Sequence, residues 1–223
     1  MADIETFDSR EALTAAAARA IKEALAAGIE ERGRASMAAS GGSTPGPVYE
    51  ALSGEASLAW EKVTVAIADE REVPADHEHR NGKMVRQKLL KGAAAPAAFV
   101  PLDAEGTLDD ALFPLDVAVM GMGEDGHTAS WFPQSPGLKE ALEGAENAVV
   151  RTVPDPMPDG APHERLTMTR AAITGARLPL LLVSGEKKRA VLEEAMRQGQ
   201  VEEMPVRALL HAPGTGLRVM WSA

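Results

Sequence analysis

Asp116-Val117-Ala118-Val119-Met120-Gly121-Met122-Gly123-Glu124-Asp125-Gly126-His127 is the stretch whose reading decides the fold. Its first five residues form a short apolar run closed by glycine, the pattern of a strand buried on both faces. Gly121, Gly123 and Gly126 then permit a tight turn that presents an imidazole where the strand ends. A buried strand that stops at a glycine turn carrying a titratable side chain is what the ligand edge of a parallel α/β sheet looks like in sequence.

The same arrangement recurs on either side. Arg34 to Ser40 reads as a buried strand running into Gly41-Gly42-Ser43-Thr44-Pro45-Gly46, with a helix from Pro47 to Leu52, since proline is tolerated in a first helical turn. Val63 to Ala68 reads as a strand that ends at Asp69-Glu70-Arg71, and Leu180 to Val183 as one that turns at Ser184-Gly185 into a helix from Glu186 to Arg197. Ser9 to Ala27 has apolar residues at helical spacing, with Ser9 as its cap and Gly28 as its end. Arg80 to Leu90 reads as a further helix. Val206 to His211 and Leu217 to Trp221 read as two closing strands. Pro154 to Pro162, with four prolines and a glycine, reads as a surface loop. The expectation is a single domain over residues 1–223: a three-layer α/β fold, Rossmann-like, with a mostly parallel sheet and helices on both faces.

Composition narrows the function classes. The chain has 223 residues and no cysteine, which excludes disulfides, thiolate metal sites and cysteine nucleophiles. Met1-Ala2-Asp3-Ile4-Glu5 lacks the basic and apolar regions of an export signal, and no stretch reaches the ~18 apolar residues of a membrane span, so the cytoplasm is the expected location. A formal net charge of -10, from 33 acidic and 23 basic residues, argues against nucleic-acid or anionic-membrane partners. An anionic metabolite would then need a few local cations to hold it. Oligomeric state is not readable.

Several segments offer chemistry at the predicted edge. Gly41, Gly42, Ser43 and Thr44 supply close-approaching amides and hydroxyls ahead of a helix N-terminus, an anion cradle that alone is also an ordinary turn. No Gly-Lys-Ser/Thr follows, so it is no Walker loop. Asp69-Glu70-Arg71 places an arginine able to grip phosphate beside carboxylates; by itself it reads more readily as a solvated, ion-paired turn. His127 has the side chain suited to taking a proton from water near neutral pH, and Asp125 and Asp69 are both candidates to orient it. Lys187 and Lys188 open a helix, where cations oppose the dipole and a bound anion would relieve the conflict. His77 and His79 lie two apart, but no third ligand stands at a supporting spacing, and His163 and His211 offer no constellation. No metal or cofactor is expected. A serine-hydrolase elbow is absent as well.

Together these segments resemble the 6-phosphogluconolactonase family. The resemblance rests on Gly41-Gly42-Ser43-Thr44-Pro45, Asp69-Glu70-Arg71-Glu72-Val73-Pro74, Gly121 to Ser130 with Trp131-Phe132-Pro133, Glu164-Arg165-Leu166-Thr167-Met168-Thr169, and Gly185-Glu186-Lys187-Lys188, in order, from about Ser36 to the end. It implies hydrolysis of 6-phosphoglucono-δ-lactone, a small phosphorylated sugar lactone, to 6-phosphogluconate in the oxidative pentose phosphate pathway. It implies that His127 is catalytic and that Arg71, Lys188 and the glycine loop hold phosphate. Arg165 and Asn81 match further binding positions. The chain has Arg80 where the family commonly has serine before Asn81. The related glucosamine-6-phosphate deaminases carry a catalytic glutamate where this chain has Phe132, which favours the lactonase reading. A sugar-phosphate sensor using the same cradle is the non-enzymatic alternative, and it gives no reason for His127.

Overall fold

A computed structural model describes residues 3–223; Met1 and Ala2, which open the stretch read for an export signal, lie outside the described residues. The elements follow in chain order as β1 (Ile4–Phe7), α1 (Arg10–Arg32), β2 (Ala35–Ala39), α2 (Pro45–Ser53), β3 (Val63–Ile67), β4 (Asp69–Arg71), α3 (Asn81–Lys88), β5 (Ala98–Val100), β6 (Gly106–Thr107), β7 (Val117–Met120), α4 (Leu138–Glu143), β8 (Ala148–Thr152), β9 (Arg165–Met168), α5 (Arg170–Thr174), β10 (Leu178–Ser184), α6 (Glu186–Ala195), α7 (Arg207–Leu210) and β11 (Arg218–Ser222).

Seven strands build one sheet in the order β1-β11-β10-β7-β2-β3-β5, and every pairing in it is parallel. Its central strands β2 and β7 are buried at every position; β7 reads as an unbroken apolar run, and β2 is interrupted only by Ser36, which is buried too. Helices flank this sheet to give the three-layer, Rossmann-like α/β architecture. α1 lies across β2, β7, β10 and β11, α2 packs between α1 and α3, and α4 packs on α5. The core-facing stripe of α1 buries Leu13, Ala17, Ile21 and Leu25 completely or nearly so. Each leucine or isoleucine buried in this way contributes about 1.5–3 kcal/mol.

Three boundaries depart from the sequence reading. α1 does not stop at Gly28 but runs to Arg32, with Gly33 at φ 74° as its left-handed cap. Gly28 is needed for space instead: a Cβ there would lie 2.8 Å from both Arg32 Nη2 and Asp116 Oδ1, which pair beside it. Val206 to His211 is no strand. Pro205 enters a short helix closed by Leu210 N–H to Val206 O at 3.1 Å and His211 N–H to Arg207 O at 3.0 Å. Val206 through Leu210 are all buried, so no alternation could separate helix from strand.

The third departure sets up the site. Asp69-Glu70-Arg71 is a strand of a second, antiparallel sheet with the order β4-β9-β8-β6. Ala68 is the transfer point between sheets. Its N–H donates to Ala39 O at 3.0 Å on the parallel sheet, and its carbonyl accepts from Met168 N–H at 2.8 Å on the other. The antiparallel sheet therefore hangs from the carboxyl end of β3, beside the loops that follow β2 and β7. Among the described residues, no helix is long and apolar enough to cross a membrane.

Candidate active site

β7 delivers the glycine turn, and its own hydrogen bonds close it. Gly123 N–H donates to His127 O at 2.9 Å, Gly126 N–H to Gly123 O at 3.2 Å, and the Thr128 hydroxyl to Gly121 O at 2.8 Å. Val206 N–H donates to Gly126 O at 2.9 Å, so the misread C-terminal helix braces this turn. His127 Nδ1 lies 2.6 Å from Asp125 Oδ1, which also accepts the His127 backbone N–H at 3.1 Å. Burial raises the Asp125 pKa, but the hydrogen bond and charge of His127 outweigh it and leave the carboxyl below its ordinary value.

Of the two aspartates left open by the sequence, only Asp125 bonds to the imidazole. Asp69 accepts the Ser130 hydroxyl at 2.7 Å instead, tying β4 to the segment after His127. With Nδ1–H on Asp125, Nε2 carries the lone pair and has no partner among the described residues. Phe132 packs on the imidazole with ring centroids 4.5 Å apart.

The cations come from the antiparallel sheet. Arg71 on β4 and Arg165 on β9 stand directly opposite one another in register. Like charges at such a position repel. Burial, then the charge of Arg71, lowers the Arg165 pKa to about 10, so it is still a cation at neutral pH. Both guanidiniums are held by carbonyls: Arg71 Nη1 by His79 O at 2.5 Å, and Arg165 by Ala161 O at 2.7 Å and by His163 O. Among the described residues neither makes a carboxylate ion pair, whereas Arg80, Arg151 and Arg218 all do. In a chain with ten more acidic than basic groups, two facing arginines without carboxylate partners among the described residues can take an external anion.

Glu70 fixes the approach of β4 to α3. Its carboxylate accepts N–H groups from Arg71 at 2.8 Å, Asn81 at 2.7 Å and Gly82 at 2.7 Å, with Arg80 Nε at 3.3 Å. Burial pushes its pKa up, against those donors. Arg80, standing where the family's serine would be, is itself buried and reaches Val73 O and Asp103 as well, so it replaces a hydroxyl with a structural cation. Asn81 donates to Asp69 O at 2.8 Å, and its carboxamide fills the space beside Gly41, where a Cβ would sit 2.5 Å from Asn81 Cγ.

The glycine loop and α6 complete the cleft. Gly42 has φ 116°, and Thr44 Oγ1 lies 2.8 Å from Ser184 Oγ at the end of β10. Lys188 lines the cleft and Lys187 does not. Gly41, Gly42, Ser43, Thr44, Asp69, Arg71, Asn81, His127 and Lys188 thus line one cleft. Asp125 and Arg165 line an adjoining recess that shares Asp69, Arg71 and His127 with it.

Sequence reasoning missed Ser40, whose buried hydroxyl has no partner and whose residue lines the cleft, and it missed that Phe132 covers His127. It also missed that three of the other histidines meet. His163 comes against the loop after β4, with its Nε2 2.8 Å from His79 Nδ1, and one nitrogen on each of His77, His79 and His163 lies within 4.8 Å of the others. The third member that the sequence spacing did not offer arrives through the pairing of β4 with β9, 84 residues away.

A family model described as glucosamine-6-phosphate isomerases/6-phosphogluconolactonase matches residues 8–221. A 6-phosphogluconolactonase of Rhizobium meliloti is 40% identical over 99% of this chain and 99% of its own length. One of Pseudomonas putida is 42% identical over 94% and 88%. The crystal structure of a 6-phosphogluconolactonase from Shewanella baltica superposes with a TM-score of 0.90 at 37% identity, covering 100% of this chain and 98% of that one.

Proposed function

Since the chain belongs to the glucosamine-6-phosphate isomerase/6-phosphogluconolactonase family, we propose that it hydrolyses 6-phosphoglucono-δ-lactone to 6-phosphogluconate in the oxidative pentose phosphate pathway. The observation that carries this reading is an imidazole with Nδ1 on a carboxylate and Nε2 free, in the same cleft as cations that have no carboxylate of their own.

The substrate phosphate docks on Arg71 and Lys188 with the amides of Gly41 and Gly42, and Arg165 adds charge behind Arg71. His127 Nε2 takes a proton from water as the oxygen attacks C1 of the lactone. Asp125 stabilises the imidazolium that results. The amides of Gly123, Gly126 and His127 are committed within their turn, so they do not receive the oxyanion. That role falls to Gly121 and Met122, which line the cleft beside the imidazole. The imidazolium then protonates the ring oxygen as the C1–O bond breaks. General base assistance of this kind contributes ~10²–10⁴-fold.

Both sheets supply cleft residues, so residues 1–223 act as one lactonase domain. The acidic, cysteine-free composition fits a cytoplasmic enzyme working on a small phosphorylated metabolite, without nucleic-acid or membrane partners. The test is turnover by purified protein of the phosphorylated lactone generated in situ, with 6-phosphogluconate followed by a coupled dehydrogenase and spontaneous opening subtracted. The unphosphorylated lactone serves as the comparison. Rapid turnover of the phosphorylated lactone alone is expected. A rate equal to the blank would remove the reading and leave a sugar-phosphate sensor to be tested by thermal shift.

A further inference from the structure

We propose that His77, His79 and His163 bind one divalent cation of the zinc class, fastening the loop after β4 to the loop before β9. Two of the ligands come from one loop and the third from the other, and the three donor nitrogens converge within 4.8 Å. The rings also pack closely, with centroids 4.9, 5.1 and 5.3 Å apart. Tetrahedral zinc with Zn–N bonds of about 2.0–2.1 Å sets its nitrogens about 3.4 Å apart. The His79 Nδ1 to His163 Nε2 separation of 2.8 Å reaches that value if the rings part by about half an ångström, and the cation takes the place of the proton they share. His77 Nδ1 accepts the His79 N–H at 3.1 Å, which ties the two loop histidines together. Three imidazoles leave a fourth position for water, and imidazole donors favour zinc, nickel, cobalt or copper over magnesium or calcium.

The site also has a structural consequence. The carbonyl of His79 holds Arg71 Nη1, and the carbonyl of His163 holds Arg165 Nη1. A cation that fixes both histidines therefore fixes the backbone that aims both arginines, a positioning role that rests on the function proposed above. The two guanidiniums also repel a dication, which sets the expected dissociation constant in the micromolar range. No bond-making step passes through this site, because His127 bonds to Asp125 and to none of the three histidines.

The test uses the full chain after chelator treatment, titrated with CoCl₂ by visible absorbance and with ZnCl₂ by calorimetry. The expected result is one equivalent bound. It should raise Tm by about 5–10 °C at a hundredfold excess of free ion over the dissociation constant. His163→Asn should lose that equivalent while keeping the metal-free Tm of the parent, and His127→Gln should keep it. Equal binding by the parent and His163→Asn, or loss in His127→Gln instead, would overturn the site. Both readouts are independent of turnover, so an inactive but metal-binding protein would refute the lactonase reading alone. If both readings hold, removing the ion should raise KM for the phosphorylated lactone and leave kcat in place.

Discussion

Gly123→Ala asks the most of the proposed catalytic geometry with the fewest atoms. Gly123 does not need a glycine-only backbone, so alanine is conformationally allowed there. What it lacks is room. A Cβ would overlap Cε1 and Nδ1 of His127 and stand 2.5 Å from Asp125 Oδ1, about 1 Å short of the 3.4 Å at which ordinary contact begins. The His127–Asp125 pair must therefore move by about that distance. The His127 side chain is 30% exposed and Asp125 49%, so both can swing toward solvent.

Overpacking a closed core typically costs about 1–3 kcal/mol. This open site should lose less, and Tm should fall by only about 2–4 °C. Activity behaves differently, because a misplacement of ~1 Å at a catalytic group costs ~10²-fold in rate. The expected result in the coupled lactone assay is a kcat lowered about 100-fold with KM little changed, since Gly123 touches none of the phosphate-side cations. Gly54→Ala, at the end of α2 and outside the cleft, is the comparison: its Cβ meets only Ala51 O at 3.7 Å, an ordinary contact, and the imidazole stays in place. Parental kcat in Gly123→Ala would refute His127 as the base. A kcat loss fully accounted for by unfolding at the assay temperature would refute the positional argument.

Asp125→Asn should lower kcat about 10–100-fold at unchanged KM, less than the ~10⁴-fold of a buried triad carboxylate because Asp125 is half exposed. The Asp125 pKa is depressed in the folded protein, so its contribution to stability is complete above the ordinary value of 3.8 and is lost as pH falls through the lower folded value. Acid unfolding curves of the parent and Asp125→Asn should therefore have the same shape above pH 4 and diverge only below it. Arg165→Ala removes the charge behind Arg71, and should raise KM for the phosphorylated lactone by about 10-fold while leaving the slow reaction of the unphosphorylated lactone untouched. Glu70→Ala strands three backbone donors and the buried Arg80, and should cost about 3–5 kcal/mol in urea unfolding; a loss below 1 kcal/mol would show that solvent replaces the carboxylate freely.

The parallel sheet was legible because its central strands are buried on both faces. Val117 to Met120 announces itself by an unbroken apolar run and Val63 to Ile67 by one broken only at Thr64, and their exits announce themselves by glycine and charge. The antiparallel sheet left no such trace. β4 is Asp69-Glu70-Arg71, three charged residues with no apolar alternation, and it is held by pairing with β9 and by the donors that surround Glu70. Missing that pairing hid two consequences at once: Arg71 and Arg165 in direct opposition, and His163 beside His79. Local pattern reports what a residue does within its own element; contacts across 84 residues follow from register, which strands of three and four residues do not encode by themselves.

The choice of chemistry within this fold comes down to what faces the imidazole. A monomeric glucosamine-6-phosphate deaminase shares the fold with a TM-score of 0.78 at 19% identity, so the architecture alone does not separate ring opening with deamination from lactone hydrolysis. Position 132 does. Phe132 lies with its ring centroid 4.5 Å from that of His127 and with the Arg165 guanidinium carbon 5.8 Å from its centre. It therefore puts an apolar face where the deaminase pattern has a carboxylate. A carboxylate there would compete with the phosphate of the proposed substrate for Arg165, whereas phenylalanine offers the guanidinium only the face of its ring. The proposed hydrolysis needs one base and an anion anchor, and Phe132 sets no second carboxylate beside either His127 or Arg165.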